Sequence, residues 1–487
     1  MKHNAIRDYG VCENCGKQKT NNCHKCDIND ISKNKIKADM EDVIKSWDEQ
    51  YKCVVSNLNN KMNIIIIGGG GVGKSYMIMK IGQQFKIIKT ASTGTASVNI
   101  SGCTIDSILN LHGCKNNLIG YDEETKKKYL KNNELEQADY IVIDEISMID
   151  GRKFDEIIKR IKFVNKFRKE ELKLIIVGDC MQLPPVEGKD YGYFFNGAEY
   201  DEIHKLSYIC KLKEVKRQDN QEFIELLERV RLACHSKKDL KYIINMKNNN
   251  VQEDEAIYMC AKNKDVDKIN KKYFDLNPCD PIELKQQIQY RMSYFKIDKL
   301  PKTNNLIDEI MKYGNDVTIK INMKVMITEN IDISNGICNG SVGHVISIEN
   351  ENCTDEKPNA VVFVKLDNGN IAKIRYCRKG SNTITIDGYD ANYSVYNDYM
   401  PLKQCNALTI HKSQGATYDK VILNCDGIFE KSMFYTAISR IRDPKNLKII
   451  NFKESYIKCN MSAFEYETQG LFISYFEKCQ LRMMIIN

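Results

Sequence analysis

"NIIIIGGGGVGKSYM", residues 63 to 77, sets four isoleucines directly against four glycines, followed by Val72, Gly73, Lys74 and Ser75. A β-branched run without polar alternation needs both faces covered, so residues 64–67 predict a fully buried strand of a parallel sheet. Gly68 to Ser75 fits GxxxxGK[ST], and "YMIMKIGQQF" after it has apolar positions at helical spacing. Strand, glycine loop and helix together make a nest of backbone N–H groups at a helix N-terminus, where the dipole also favours negative charge. Side chains would obstruct the group that such a nest holds, a phosphate. In this reading Gly68, Gly69, Gly70, Gly71, Val72 and Gly73 cradle a nucleotide. Lys74 reaches its β and γ phosphates, and the Ser75 hydroxyl is a ligand of Mg²⁺.

Two further apolar runs end in polar residues. "YIVIDEISMID" stops at Asp144 and Glu145, and carboxylates at the C-terminal end of a parallel strand face the same crevice as the glycine loop. Asp144 is expected to hold Mg²⁺ through water, and Glu145 to polarise the water that attacks in line. "LKLIIVGDCMQLPPV" ends in Gly178, Asp179 and Gln182, with Pro184 and Pro185 forbidding a continued ladder or helix. Gln182 is an uncharged donor and acceptor placed to sense a γ phosphate. The three strand ends predict a nucleotide hydrolase and leave open what the hydrolysis drives.

The chain has 487 residues, 42% of them hydrophobic, which is enough for a sizeable core and two to four domains. No stretch approaches the ~18 uncharged apolar residues of a membrane span. The start "MKHNAIRDYG" lacks a secretory apolar stretch, so an intracellular protein with no membrane partner is expected. The net charge of +7, from 72 basic and 65 acidic residues, permits a polyanionic partner without establishing one. Most of the 19 cysteines are scattered, as reduced, buried small hydrophobes would be. The exception is "CENCGKQKTNNCHKC", where Cys12, Cys15, Cys23 and Cys26 form two CxxC pairs. Four thiolates at this spacing predict a tetrahedral Zn²⁺ site in a head of residues 1–40, with His24 able to replace one sulfur.

From 321 to 400 the text changes to short runs bounded by Asn, Asp and Gly, such as "GHVISIEN" and "AVVFVKLDNGN", which read as hairpins of a small β-barrel. The run 157–173 carries seven basic and two acidic side chains, and its cationic face reads as solvated.

"GGGGVGKS", "TASTGTASVNISGCTIDS", "VIDEISMID", "VGDCMQLPPV", "VKRQDNQEF", "ICNGSVGHV", "ALTIHKSQGATYDKV" and "FYTAISRIR" stand in an order that resembles DNA helicases of the RecD and Pif type, within superfamily one. The resemblance runs from about residue 45 to about residue 452. It implies an α/β fold of two RecA-like lobes that close on ATP and Mg²⁺. It also implies a motor that walks along single-stranded DNA, 5′ to 3′, and unwinds tailed duplex DNA in replication, repair or recombination, working as a monomer.

The implied division is a first lobe at 41–205, with a short wedge insertion at 111–138. The second lobe occupies 206–320 and 401–455, interrupted by an SH3-like barrel at 321–400, and a helical tail follows at 456–487. Arg440 aligns with the family's arginine finger and Arg217 with a second arginine approaching the γ phosphate. Gly415 resembles the second lobe's nucleotide contact, and Gln50 is the candidate for the adenine edge. Thr93 and Gly94 resemble positions that grip the DNA backbone, while Thr409, His411 and Ser413 resemble positions coupling DNA to the nucleotide. Where relatives read "TIHS" this chain reads "TIDS", so Asp106 replaces a histidine beside the strand.

Two other readings stay open from the sequence: a motor directed to RNA, and an NTP-gated nucleic-acid switch without unwinding. The compact length fits a viral origin, with host cytoplasm or nucleus as the compartment. A cellular protein would belong in the nucleus or mitochondrion.

Overall fold

The computed structural model describes residues 46–109, 111, 133–185, 191–293, 314–332, 335, 337, 339–350, 360–386 and 389–468. The cysteine head, most of the 111–138 insertion and the tail beyond 468 lie outside the described residues.

The isoleucine run forms β1 (Asn63–Gly68), buried along its whole length. Alternation across the pleat splits it between two cores. Ile64 and Ile66 pack with Trp47, Val54 and Met77, whereas Ile65 and Ile67 pack with Phe154, Ile157 and Phe464. Each isoleucine so enclosed contributes about 2 kcal/mol by area burial. Around it lie β2 (Ile87–Ala91), β3 (Cys103–Thr104), β4 (Tyr140–Asp144), β5 (Lys173–Gly178) and β6 (Ser207–Leu212), in the order β3-β2-β4-β5-β1-β6. Every pairing in this sheet is parallel. The first lobe therefore extends beyond the expected boundary at 205, because β6 pairs with β1 from Asn63↔Ser207 to Gly68↔Leu212. The short alternating run "SYICKL" had no sequence mark tying it to one lobe or the other. The crossing between lobes falls in residues 213–220.

A second parallel sheet orders Ala407–Thr409, Ile257–Cys260, Val421–Asn424 and Leu447–Ile450. Helices Gln221–Arg231 and Met433–Ile438 pack on it through Phe223, Leu226, Phe434 and Ile438. Between its strands is inserted a five-stranded antiparallel sheet, Ile371–Ile374, Ala360–Leu366, Val342–Asn350, Lys324–Ile327 and Leu402–Gln404. A separate three-stranded ribbon joins Cys377–Ile386, Tyr389–Tyr399 and Gln287–Ser293. The hairpin region expected at 321–400 is thus two sheets, one closed by a strand beyond 400 and the other by a strand before 321.

The helix Met461–Thr468 then returns to the first lobe. Tyr466 stacks on Phe195 with ring centres 4.3 Å apart, and its hydroxyl lies 2.6 Å from that of Tyr200. Within the basic run, Arg160 is buried and Lys162 pairs with Glu199 and Glu202 at 2.7 and 2.6 Å.

Candidate nucleotide site between two lobes

The phosphate-side residues converge where β1, β4 and β5 end. Gly71 and Gly73 have φ of +85° and +83°, a region that side-chain-bearing residues rarely adopt. A Cβ on Gly71 would lie 2.7 Å from the Arg217 Cβ, and one on Gly73 would lie 3.0 Å from the Trp47 Nε1. The loop is thus clasped from both sides, and backbone N–H groups of Lys216 and Arg217 donate to the Gly71 carbonyl at 2.7 and 3.1 Å. The helix Lys74–Ile81 starts at the loop's end, placing Lys74 and Ser75 in its first turn.

Lys74 is buried, and its Nζ donates to the carbonyls of Gly68 and Gly69, both at 2.8 Å. Burial lowers its pKa, opposed by Asp179, Glu145 and Asp144. Burial pushes the Asp144 carboxyl up to about 7, and the neighbouring Glu145 adds to the rise. Two enclosed carboxylates beside a phosphate cradle fit a divalent cation, whose charge would favour their ionised form. Glu145 sits at φ 52°, ψ 46°, a left-handed conformation uncommon outside glycine and characteristic of strained functional positions. Its N–H donates to Asp144 Oδ1 at 2.8 Å. Gln182 is buried, donates from Nε2 to Asp179 Oδ2 at 3.1 Å, and keeps an Oε1 without a partner among the described residues.

The second lobe supplies the opposite wall. A Cβ built on Gly70 would lie 3.0 Å from the Ser439 Cβ and 3.6 Å from the Arg440 Nη2, so Arg440 borders the phosphate loop. Arg440 is 1% exposed, and its Nε and Nη2 donate to the Thr436 carbonyl at 3.1 Å and Ser439 Oγ at 2.8 Å. Arg217 donates from Nη1 to the Ser439 carbonyl at 2.7 Å. Loss of solvent around its charged end, with Arg440 nearby, lowers the Arg217 pKa to about 9.

Several contacts here went unnoticed in the sequence. Gln414 donates from Nε2 to Glu145 Oε2 at 3.1 Å and to Ser147 Oγ at 3.3 Å. Its neighbour Gly415 accepts from Asn99 Nδ2 at 2.8 Å, so one loop of the second lobe touches the first lobe at both Glu145 and Asn99. Tyr435 accepts from the Gly70 N–H at 2.9 Å and donates to Asp179 Oδ2 at 2.9 Å. Arg231 donates to Asp179 Oδ1 at 2.8 Å and to Glu467 at 2.6 Å. A tyrosine inside "MFYTAI" reads as plain helix core, and partners hundreds of positions apart leave no local pattern. Gln414 had a usable signal, an amide between two singled-out residues.

The strand-contact candidates divide. Thr93 Oγ1 accepts from the Ala96 N–H at 3.2 Å, starting the helix Gly94–Asn99, and a Cβ on Gly94 would approach Asn339 Nδ2 of the inserted sheet to 3.2 Å. Neighbouring Ser92 donates to the Glu145 carbonyl at 2.9 Å, linking this segment to the catalytic strand. Thr409 is buried, and His411 is half-buried beside an exposed Phe429 at 6.3 Å between ring centres. Ser413 is fully buried with its hydroxyl on the Ile410 carbonyl at 2.7 Å, a bond that braces its own loop. Asp106 pairs with Lys153 at 2.8 Å, which neutralises the acidic replacement beside the strand segment. Gln50 commits its Nε2 to the Lys211 carbonyl at 2.6 Å.

A glycine loop on one parallel α/β lobe, faced by arginines at a second, is the arrangement of two RecA-like lobes around a P-loop. A profile described as AAA domain matches residues 50–188. The chain is 27% identical over 435 residues to the ATP-dependent DNA helicase PIF1 of Xenopus laevis, covering 86% of this chain and 64% of that protein. It is also 27% identical over 418 residues to Pif1 of Campylobacter jejuni, covering 80% of this chain and 89% of that one. The fold is similar to the crystal structure of Pif1 helicase from Candida albicans, with a TM-score of 0.70, 23% identity, and 88% and 99% of the two chains covered. Bacteroides Pif1 bound to ssDNA gives a TM-score of 0.66 at 23% identity, covering 87% and 97%. The chain is thus similar, over most of its length, to helicases of the Pif1 type. It spans less than two thirds of the length of the vertebrate relatives, 64% in the case of Xenopus.

Proposed function

We propose that this chain is an ATP-dependent DNA helicase, a motor that translocates on single-stranded DNA from 5′ to 3′ and unwinds tailed duplexes as a monomer. The observation that carries the reading is the approach of Arg440 and Arg217 to the glycine loop that presents Lys74. Bound between them, ATP with Mg²⁺ would supply the β–γ anhydride whose hydrolysis drives the cycle. Gly68 to Gly73 and Lys74 would hold the phosphates, Ser75 and Asp144 the Mg²⁺, and Gln50 the adenine edge. Glu145 would take the proton from the attacking water, with the free amide oxygen of Gln182 as an acceptor beside it. Arg440, Arg217 and Lys74 would stabilise charge on the transferring phosphoryl, and the arginines lose that contact after hydrolysis. Gly415 and Gln414 carry the nucleotide state into the loop that holds Thr409 and His411.

In this proposal Thr93, Gly94, Thr409 and His411 contact a single strand, and a Bacteroides relative solved with ADP-AlF3 and ssDNA gives the precedent. The five-stranded sheet serves as the SH3-like clamp. Cys12, Cys15, Cys23 and Cys26 hold a structural Zn²⁺.

The test compares ATPase stimulation and strand displacement on 5′-tailed and 3′-tailed DNA and RNA duplexes, with Lys74→Ala as the inactive control. Displacement of 5′-tailed DNA is expected. Preference for RNA would redirect the motor, and stimulation without displacement would leave only a switch.

A further inference from the structure

The hydroxyl of Tyr435 stands in the phosphate loop. It accepts from the Gly70 N–H at 2.9 Å and donates its O–H to Asp179 Oδ2 at 2.9 Å, within a side chain only 3% exposed. A Cβ on Gly69 would also lie 3.4 Å from that oxygen. Lys74, meanwhile, is folded onto the carbonyls of Gly68 and Gly69. An N–H of a phosphate nest points at one acceptor at a time, so an anion reaching Gly70 must take the place of the tyrosine. Tyr435 belongs to the helix Met433–Ile438, which runs directly into Ser439 and Arg440. Whatever moves the hydroxyl therefore acts on the segment that holds Arg440.

We infer that Tyr435 is a positioning residue that competes with the terminal phosphate of ATP for the Gly70 N–H, and that this exchange links occupancy of the loop to the placement of Arg440. The inference rests on the nucleotide reading above. Asp179 survives the exchange without loss of satisfaction, because Arg231, the Met181 N–H and Gln182 Nε2 also bond it. ADP lacks the phosphate that contends for the slot and leaves the tyrosine in place.

The experiment measures Kd for a non-hydrolysable ATP analogue and for ADP, both with Mg²⁺, on the full chain and on Tyr435→Phe. Removing the competitor should tighten the ATP analogue about fivefold, the equivalent of about 1 kcal/mol and of one hydrogen bond's net value. ADP should change by less than about twofold, serving also as the control for an intact fold. Tyr435→Leu, which lacks the same hydroxyl, supplies the comparison if the phenylalanine variant does not fold. Unchanged or weaker analogue binding overturns the competition, as does equal tightening of ADP. If the unsubstituted chain binds neither nucleotide, it is the underlying nucleotide reading that fails.

Discussion

Arg231 and Arg440 are both buried in the crevice between the lobes, 7% and 1% exposed, yet their surroundings differ. Arg231 lies between two carboxylates, Asp179 of the first lobe and Glu467 of the returning C-terminal helix. Arg440 bonds neutral acceptors, the Thr436 carbonyl and Ser439 Oγ, and forms no ion pair among the described residues. Lys74 and Arg217 also donate to backbone carbonyls, but carboxylates lie near them, Asp179, Glu145 and Asp144 around Lys74 and Glu145 near Arg217. A buried charge with its counter-charge present is part of the scaffold. A buried charge facing dipoles alone is held at a cost, and an anion entering the crevice relieves it. The contrast between the two arginines separates a side chain that ties the lobes from one free to meet an anion in the crevice.

The largest effect should come from the ligand-facing set. Arg440→Ala is expected to lower kcat for ATP hydrolysis about 10³-fold while nucleotide affinity changes only a few-fold, as measured by steady-state assay and direct binding. Retained turnover would remove Arg440 from the chemistry.

The scaffold set should show the reverse. Arg231→Met leaves Asp179 and Glu467 enclosed without their cation and should cost about 3–5 kcal/mol in chemical denaturation of the nucleotide-free protein. Arg440→Met, which removes a charge with no counter-charge, should cost less than about 1 kcal/mol in the same measurement. Equal losses would erase the distinction between the two arginines.

A smaller effect is expected at Gln414, which bonds Glu145 from the opposite lobe. Gln414→Ala should reduce kcat about tenfold with KM for ATP nearly unchanged, the range expected for one hydrogen bond to a charged group. A rise in KM alone would place Gln414 in binding.

The first lobe's site was readable because its signals are local. Four isoleucines before four glycines specify a buried strand and a bare turn by composition alone, and Asp144, Glu145 and Gln182 follow apolar runs that end in the same way. The second lobe's wall was reached only through resemblance, since Arg217 and Arg440 sit in segments with no periodicity to mark them. Ser413, next to His411 in the chain, turns its hydroxyl back onto the Ile410 carbonyl, an orientation that adjacency in a short 3₁₀ turn does not reveal. The lobe boundary moved because "SYICKL" pairs with a strand about 140 positions earlier.

By itself, then, the sequence determined that a bare glycine loop follows a strand buried on both faces, and which polar side chains end the neighbouring apolar runs. These depend on spacings of a few residues, which backbone geometry converts directly into strand, turn and helix. Only the tertiary structure decided that Tyr435 occupies the loop, that Arg231 has carboxylate partners while Arg440 has none among the described residues, and that the helix Met461–Thr468 returns to the first lobe. Those facts depend on which surfaces meet across hundreds of residues, where the energy of a contact comes from enclosure and leaves no local pattern to read.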